Sequence, residues 1–508
     1  MSGKSLILAK SWRNPLIPLR ILPCLNFFDT HFVTRAIVKL NLYECFLSFA
    51  KECSAILIYR QIFSLSWPIL LEMTAQTTMN NLNVWVVSHL GSTIVASVGL
   101  TGTLIAALGI LLSIVGLGAT VLIAQFRGAN QPEKATAFAV DALRLILVIA
   151  TLLTLLLIAG IPVWFAILHV PSSIVPTMRA YMTFMAILLP FSSWVAISGG
   201  ILRSFGATRV VFYQTLLVIG VTAFFNLLFV TGLWNAPRLG LTGLYLANVS
   251  GIMAGVIYSF LLLARHLPVP VTRRMILHGS GQVMAVLRVG LPSALELGSY
   301  QFTQFFLVSL IARLGTNAIA TRVYAISIES ASFLFGLGIA QGVSILVGHE
   351  AGKGAFHPAR RIAWSGVTLG VGGMSLLALL LFIFAHPLIA LFTTDKEVVR
   401  LGAQVLQIIA LAQPAKALNM IIGGALRGAG DNRWLMWNSG MFVWISVLAA
   451  WLFGFPLGLG LAGIWWGMCV DEWVRAALLF SRLRGTRWEN RQFTRVDTAP
   501  ETAVQQTV

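Results

Sequence analysis

Two segments of the chain, one in each half, have closely similar sequences. Residues 199–209 read GGILRSFGATR and residues 423–433 read GGALRGAGDNR, so both fit the pattern GGxLRxxGxxR at an offset of 224. The same offset pairs Pro190 with Pro414. A fixed long offset of this kind indicates that a large structural unit is duplicated.

The register of the repeat extends without a gap from residue 68 to residue 209. Further pairs at the offset of 224 are Pro68 with Pro292, Leu71 with Leu295, Glu72 with Glu296, Leu90-Gly91 with Leu314-Gly315, Ala96 with Ala320, and Gly128 with Gly352. Near the end of each unit the offset is 220, where Leu239-Gly240-Leu241 matches Leu459-Gly460-Leu461. Such a run of matches is very improbable by chance.

The composition places this duplicated unit in a membrane. Of 508 residues, 57% are hydrophobic and 10% are charged, whereas soluble domains carry about 25% charged residues. The 45 glycines fit closely packed membrane helices, and the long apolar runs argue against a membrane β-barrel. The net charge of +18 is attributed to topogenic loop residues, so we expect no nucleic-acid partner.

Cysteine usage and short motifs indicate no cofactor chemistry. The four cysteines, Cys24, Cys45, Cys53 and Cys469, form no CxxC pair and no zinc-site spacing with histidine. No GxxxxGK[ST] motif is present in the sequence. We therefore expect no metal, no cofactor and no enzymatic activity.

Apolar runs of about 20 residues predict twelve transmembrane helices. They lie near 62–88, 100–126, 138–160, 177–202, 211–233, 241–264, 284–312, 320–347, 362–385, 399–426, 434–456 and 461–482. The predicted organisation is an N-terminal extension (1–60), an N-lobe (61–264), a linker (265–283), a C-lobe (284–482) and a C-terminal tail (483–508). Because six is even, the two lobes enter the membrane from the same side as parallel repeats.

Residues 1–60 mix apolar patches with eight basic residues and lack a clean signal-peptide pattern. A misassigned start codon and a surface-lying amphipathic segment both fit them better than a thirteenth spanning helix. The basic residues of the whole chain predict the orientation: 26 Lys and Arg fall on the amino-terminal side of the predicted spans and six on the opposite side. The positive-inside rule then places both termini in the cytoplasm and the chain in the plasma (inner) membrane.

Ionisable side chains within predicted spans are costly and point to function. Glu72 and Glu296 lie about 15 Å and about 18 Å into their helices, each one turn after a proline, Pro68 or Pro292. Glu329 lies about 14 Å into the eighth span. These three glutamates are candidate proton or cation sites, although neighbouring hydroxyls and backbone groups can equally cap a buried carboxylate. Asp471 and Arg475 are four residues apart, a spacing that favours a structural ion pair.

Several motifs resemble the multidrug and toxic compound extrusion (MATE) transporters. The stretch from Gly290 to Ala320 resembles their seventh helix and following loop, Leu346 to Gly352 resembles the end of their eighth helix, and the GGxLRxxGxxR segments resemble the loops after helices 4 and 10. The resemblance covers about residues 60–482. It implies an all-α membrane protein with two six-helix lobes in a V around a central cavity, and cation-coupled antiport of organic compounds out of the cell.

The chain departs from the family pattern in the N-lobe. Asn83 and Val230 stand where many members carry aspartates, while the helix 5 asparagine is present as Asn226. The usual N-lobe cation site therefore has neither carboxylate, and Asn83 and Asn226 are expected to be polar cavity residues. Glutamate four residues after the proline in both lobes resembles a branch of which some members are associated with flavin nucleotide export.

We compared three functions on these grounds: a cation-coupled drug antiporter, a lipid-linked precursor flippase, and a channel or scaffold. A flippase is expected to need a strongly cationic cavity, whereas the predicted midplane charges are mostly acidic, so an antiporter is favoured. Its expected partners are small cationic or amphiphilic organic compounds, H⁺ or Na⁺, and membrane lipid. Proton entry is expected to drive export through Glu296, assisted by Glu72, with Glu329 as the alternative proton carrier and Arg203 and Arg427 as structural motif residues.

Overall fold

The computed structural model describes residues 42–88, 90–168, 170–232, 234, 237–271, 275, 282–489 and 493. Most of the predicted N-terminal extension and C-terminal tail, and about half of the predicted linker, therefore lie outside the described residues. The chain divides into two units, Met1–Ile58 and Tyr59–Val508. Every contact discussed below lies within the second unit.

The described residues fold into fourteen α-helices, twelve long and two short, and contain no β-strand. They are α1 (Leu42–Ser88), α2 (Ser92–Gly128), α3 (Pro132–Ala159), α4 (Ile161–Ile167), α5 (Val175–Ser204), α6 (Thr208–Phe229), α7 (Leu241–His266), α8 (Val283–Ala312), α9 (Thr316–Gly352), α10 (Phe356–Ile383), α11 (Ala385–Ala390), α12 (Lys396–Ala429), α13 (Asn432–Gly454) and α14 (Gly460–Arg484). We call α1 from Tyr59 onward, with α2 to α7, the N-lobe, and α8 to α14 the C-lobe. Helix α1 begins at Leu42, well before the predicted start of the first span at residue 62.

The helix boundaries repeat with the spacing seen in the sequence. Helices α2 and α9 both have 37 residues, and their first and last residues differ by 224. Helices α3 and α10 both have 28 residues with the same offset. Even the short helices α4 and α11 begin at equivalent positions of the repeat, Ile161 and Ala385.

Nine of the described helices are long and apolar enough to cross a membrane. The other three long helices are α1, α8 and α14. These three helices carry Glu72, Glu296 and the Asp471–Arg475 segment, respectively. Polar residues near the predicted midplane therefore lower the hydropathy of these helices. The predicted class, an all-α membrane protein with twelve long helices in two lobes, is confirmed.

Close helix packing inside each lobe depends on small residues. A β-carbon on Gly251 of α7 would lie 1.9 Å from the Thr222 hydroxyl oxygen of α6, and one on Gly467 of α14 would lie 2.3 Å from the Ala450 nitrogen of α13. A side chain at Gly467 would overlap the backbone of α13, and one at Gly251 would displace the Thr222 hydroxyl. Glycine therefore sets the distance between the last two long helices of each lobe.

The two lobes contact each other through equivalent helix crossings. A β-carbon on Gly118 of α2 would lie 2.1 Å from the Val286 carbonyl oxygen of α8. At the equivalent position of the second repeat, one on Gly342 of α9 would lie 2.2 Å from the Ser66 hydroxyl oxygen of α1. Glycines of both lobes thus line the interface at equivalent positions of the repeat.

Candidate functional site

A cavity of about 920 Å³ lies between the lobes and is lined by residues of α2, α3 and α5 from the N-lobe and of α8, α9, α12, α13 and α14 from the C-lobe. Most of its wall is apolar or small. Its charged residues are Arg203, Glu296, Lys416, Arg427, Glu472 and Arg475. Among the described residues, the N-lobe contributes one of these six and the C-lobe five.

In the N-lobe, Glu72 is paired with Arg203. The guanidinium Nη1 donates to Oε1 and Oε2 of Glu72 at 2.7 and 2.9 Å, and Gln76 Nε2 donates to Oε1 at 3.4 Å. Glu72 is 4% exposed. A second, smaller pocket of about 240 Å³ lies beside this pair, and Gln214 and Gln341 also line it.

The C-lobe has the equivalent pair. Arg427 Nη2 donates to both carboxylate oxygens of Glu296 at 3.3 Å. In both lobes the partners are 131 residues apart in the chain. The arginine of each GGxLR motif is therefore the partner of the glutamate that follows the helix proline.

Pro68 and Pro292 lie inside continuous helices. Helix α1 runs on to Ser88 and α8 to Ala312, so neither proline ends its helix. Each proline removes one backbone hydrogen bond a turn before the ion-paired glutamate.

The C-lobe also contains an ionic network around Glu329, which is 9% exposed on α9. Lys416 Nζ contacts Glu329 Oε1 at 2.5 Å, and Gln413 Nε2 donates to the same oxygen at 3.0 Å. Ser332 Oγ donates in turn to Gln413 Oε1 at 2.9 Å. Helices α9 and α12 are thus joined by buried polar contacts.

Helix α14 supplies the rest of this network. Arg475 contacts Asp471 at 2.7 Å and Glu472 at 3.0 Å. Asn419 Nδ2 of α12 donates to Glu472 Oε2 at 2.6 Å. Lys416 and Asn419 both lie on α12, so this helix connects the α14 residues to Glu329.

The network contains more acids than bases. In the contacts just described, three carboxylates (Glu329, Asp471 and Glu472) meet two cations (Lys416 and Arg475). Asp471 Oδ1 is buried with no hydrogen-bond partner among the described residues. The sequence patterns did not reveal Lys416, Asn419 and Glu472 as parts of one network, because their partners lie on other helices.

Asn83 and Asn226 contact each other, with Asn226 Nδ2 donating to Asn83 Oδ1 at 3.1 Å. Asn226 is fully buried. Neither residue is among those that line the central cavity. Within the described part of the chain, no group of three or more His, Cys, Asp or Glu side chains is arranged to hold a metal ion.

Comparison with known proteins gives one consistent result. The MatE family model matches residues 68–228 and 292–457. The chain is 27% identical over 430 residues to an uncharacterised transporter, YisQ, of Bacillus subtilis, covering 84% of this chain and 94% of the relative. It is 28% identical over 420 residues to a probable multidrug resistance protein, NorM, of Burkholderia mallei, covering 80% and 88%.

Solved structures share the fold. An outward-facing multidrug resistance MATE family transporter has a TM-score of 0.75 at 23% identity, covering 84% of this chain and 97% of that one. A Vibrio cholerae MATE transporter has a TM-score of 0.77 at 18% identity, covering 85% and 97%.

Proposed function

The chain belongs to the MatE family, and on that premise we propose that it is a secondary-active exporter that exchanges small organic compounds for protons. The observation that carries this proposal is the cavity between two equivalent lobes, with an unbalanced ionic network in one of them. The cavity supplies a place for cargo, and the network supplies a place for the coupling ion.

The cargo proposed for the cavity is a small amphiphilic compound. A volume of about 920 Å³ falls within the range of pockets that enclose drug-sized ligands. The wall is mostly apolar, and charges of both signs line it. Apolar surface favours a hydrophobic body. Four of the six charged lining residues are cations, unlike the mostly acidic charges expected from the sequence. A cationic group on the cargo would therefore compete with Arg427 for Glu296 or with Arg475 for Glu472.

Movement of one lobe against the other gives alternating access. In transporters built from repeats, the site lies at the repeat interface and the two halves rock around it. The lobes of this chain approach each other closely at equivalent glycines, which places the proposed rocking motion at these helix crossings. The positive-inside count supports a plasma-membrane orientation with both termini in the cytoplasm, and the lobes then correspond to residues 61–264 and 284–482.

A proton taken up by the C-lobe network is the proposed coupling ion. Excess charge inside a membrane costs about 2.5–3.5 kcal/mol per residue on insertion scales. Three carboxylates and two cations leave one net negative charge, which the binding of one proton neutralises. A cationic cargo arriving beside Glu472 has the same effect. Proton and cargo therefore compete for one negative charge.

Glu329 is the proposed proton carrier within this network. Of the three glutamates predicted from the sequence, Glu72 and Glu296 each have an arginine partner of their own. A proton on either leaves its arginine without a counter-ion. Neutralising Glu329 instead removes one of three carboxylates from a network that holds two cations.

Transport by the purified protein in liposomes tests the proposal. We expect uptake or release of a fluorescent cationic dye to follow an imposed pH gradient and to stop when a protonophore collapses that gradient. A sodium gradient of equal size should have no effect. Transport that requires sodium, or movement of a fluorescent lipid or of flavin nucleotides with no dye transport, would contradict it.

A further inference from the structure

Two polar side chains reach from one lobe to the other at the end of the cavity where α2 and α9 terminate. His349 Nε2 of α9 lies 2.8 Å from the Ser204 carbonyl oxygen at the end of α5. Gln125 Nε2 of α2 donates to the Gly428 carbonyl oxygen near the end of α12 at 3.0 Å. Both hydrogen bonds cross the interface between the lobes.

These two bonds are equivalent by the repeat. Gln125 and His349 differ by 224 positions, and so do Ser204 and Gly428. Two glycines make room for them: a β-carbon on Gly128 would lie 1.9 Å from the His349 carbonyl oxygen. One on Gly352 would lie 1.9 Å from the Gln125 carbonyl oxygen. The arrangement occurs twice, although the residue that donates differs between the copies.

The donors are fixed by their partners. A carbonyl oxygen only accepts, so His349 must carry its hydrogen on Nε2. Gln125 is fully buried and uses both ends of its amide, because its Oε1 accepts from the backbone nitrogen of Phe493 at 3.1 Å. Both side chains are therefore placed to hold a carbonyl of the opposite lobe.

Each accepting carbonyl belongs to the residue after an ion-paired arginine. Ser204 follows Arg203, which is held by Glu72, and Gly428 follows Arg427, which is held by Glu296. A continuous set of contacts thus runs from each glutamate, through its arginine and the next peptide unit, to the opposite lobe.

We propose that Gln125 and His349, which we call the latch, are positioning residues that keep the lobes together at this end. Each Glu–Arg pair fixes the position of the carbonyl oxygen to which one latch residue donates. This proposal rests on the proposed function, since an exporter must separate its lobes at this end to open the cavity to the other side of the membrane. Losing either Glu–Arg pair loosens the crossing bond that depends on it, His349–Ser204 for Glu72 and Gln125–Gly428 for Glu296.

The separation of the lobes is measured directly with spin labels. Glu133 and His357 lie near the starts of α3 and α10 and are repeat equivalents. Labels on Glu133→Cys and His357→Cys, in a chain whose native cysteines are replaced, report the distance between the lobes in nanodiscs by pulsed electron paramagnetic resonance. The readout needs no transport, so it stays informative if the proposed function fails.

We expect His349→Leu and Gln125→Leu each to raise the ratio of separated to closed lobes by about tenfold, the effect of one lost hydrogen bond to a buried carbonyl. Exchange of each residue for its own repeat equivalent, His349→Gln or Gln125→His, retains a donor and should restore the wild-type distance. Thr120→Val is the matched control, because this cavity residue bonds within its own helix.

The pairing is tested by double variants. Glu72→Gln should add little to His349→Leu, since both weaken the same crossing bond, but should add fully to Gln125→Leu. Distances that stay unchanged in both leucine variants would overturn the latch. Full additivity of Glu72→Gln with His349→Leu would overturn its connection to the ion pair.

Discussion

The N-lobe and the C-lobe share a scaffold but differ in charge. Both contain a proline followed by glutamate, the arginine that pairs with it, and a residue that reaches across to the other lobe. The positions equivalent to Glu329 and Lys416, however, are Ile105 and Ser192. The ion pairs thus belong to the duplicated architecture, whereas the unbalanced network is an addition to one lobe. The features present in both lobes account for the scaffold, and the feature confined to the C-lobe is the proposed site of the coupling proton.

The largest effect on stability is expected from Lys416→Met. The substitution leaves three carboxylates with Arg475 alone, and an uncompensated buried charge costs about 3–5 kcal/mol. The matched N-lobe variant, Ser192→Ala, should change stability by less than about 0.5 kcal/mol. Thermal unfolding in detergent, followed by loss of the monodisperse fraction, compares the two.

Adding Glu329→Gln to Lys416→Met should recover part of the loss, because it removes one of the unbalanced acids. A double variant that is less stable than Lys416→Met alone would show that charge balance is not what the network provides.

The two equivalent ion pairs should behave alike. Glu72→Gln and Glu296→Gln each leave an arginine without its counter-ion, and we expect a loss of about 3 kcal/mol for each. The loss should be larger for Glu72, since its contact with arginine is 2.7 Å against 3.3 Å for Glu296. Chemical denaturation of the two variants side by side measures this order. Equal stability to the parent in either case would mean that the pair is not formed.

A smaller effect is expected at the asparagine pair of the N-lobe. Asn83→Ala removes the acceptor of the buried Asn226 amide and should cost about 1 kcal/mol. The pH dependence of transport should not change, because neither residue ionises. A shifted pH profile in this variant would indicate that the N-lobe takes part in proton coupling.

The features that can be predicted from the sequence are those that depend on neighbouring or regularly spaced residues. Long apolar runs locate the helices, and the repeated register predicts two lobes, because both signals are carried by neighbouring or regularly spaced residues. The Asp471–Arg475 contact is also local, at one helical turn. The Glu–Arg pairs are not: their members are 131 residues apart. The repeat nevertheless carries a signal for these pairs, because a glutamate and an arginine occur at the same spacing in both copies. Opposite charges at equal spacing are expected of a contact that both lobes share.

The network around Glu329 leaves no such signal. Glu329 and Lys416 are 87 residues apart, and the repeat gives no second copy to compare. Their contact depends on the crossing of α9 and α12, which is set by tertiary packing. From the sequence, Glu329 is an isolated costly charge, and the neighbours that decide its role emerge only from the fold.

The most direct test of the account is the response of transport to a pH gradient in three variants reconstituted at equal density: Glu329→Gln, Glu296→Gln and Glu72→Gln. Glu397→Gln serves as the control, because its carboxylate pairs with Arg400 on the surface. We predict that Glu329→Gln still exchanges dye between the two sides but no longer concentrates it against a pH gradient. The other two should transport more slowly and still respond to the gradient. Normal proton-driven accumulation by Glu329→Gln, with its loss in Glu296→Gln, would contradict the account and assign the coupling proton to the shared scaffold.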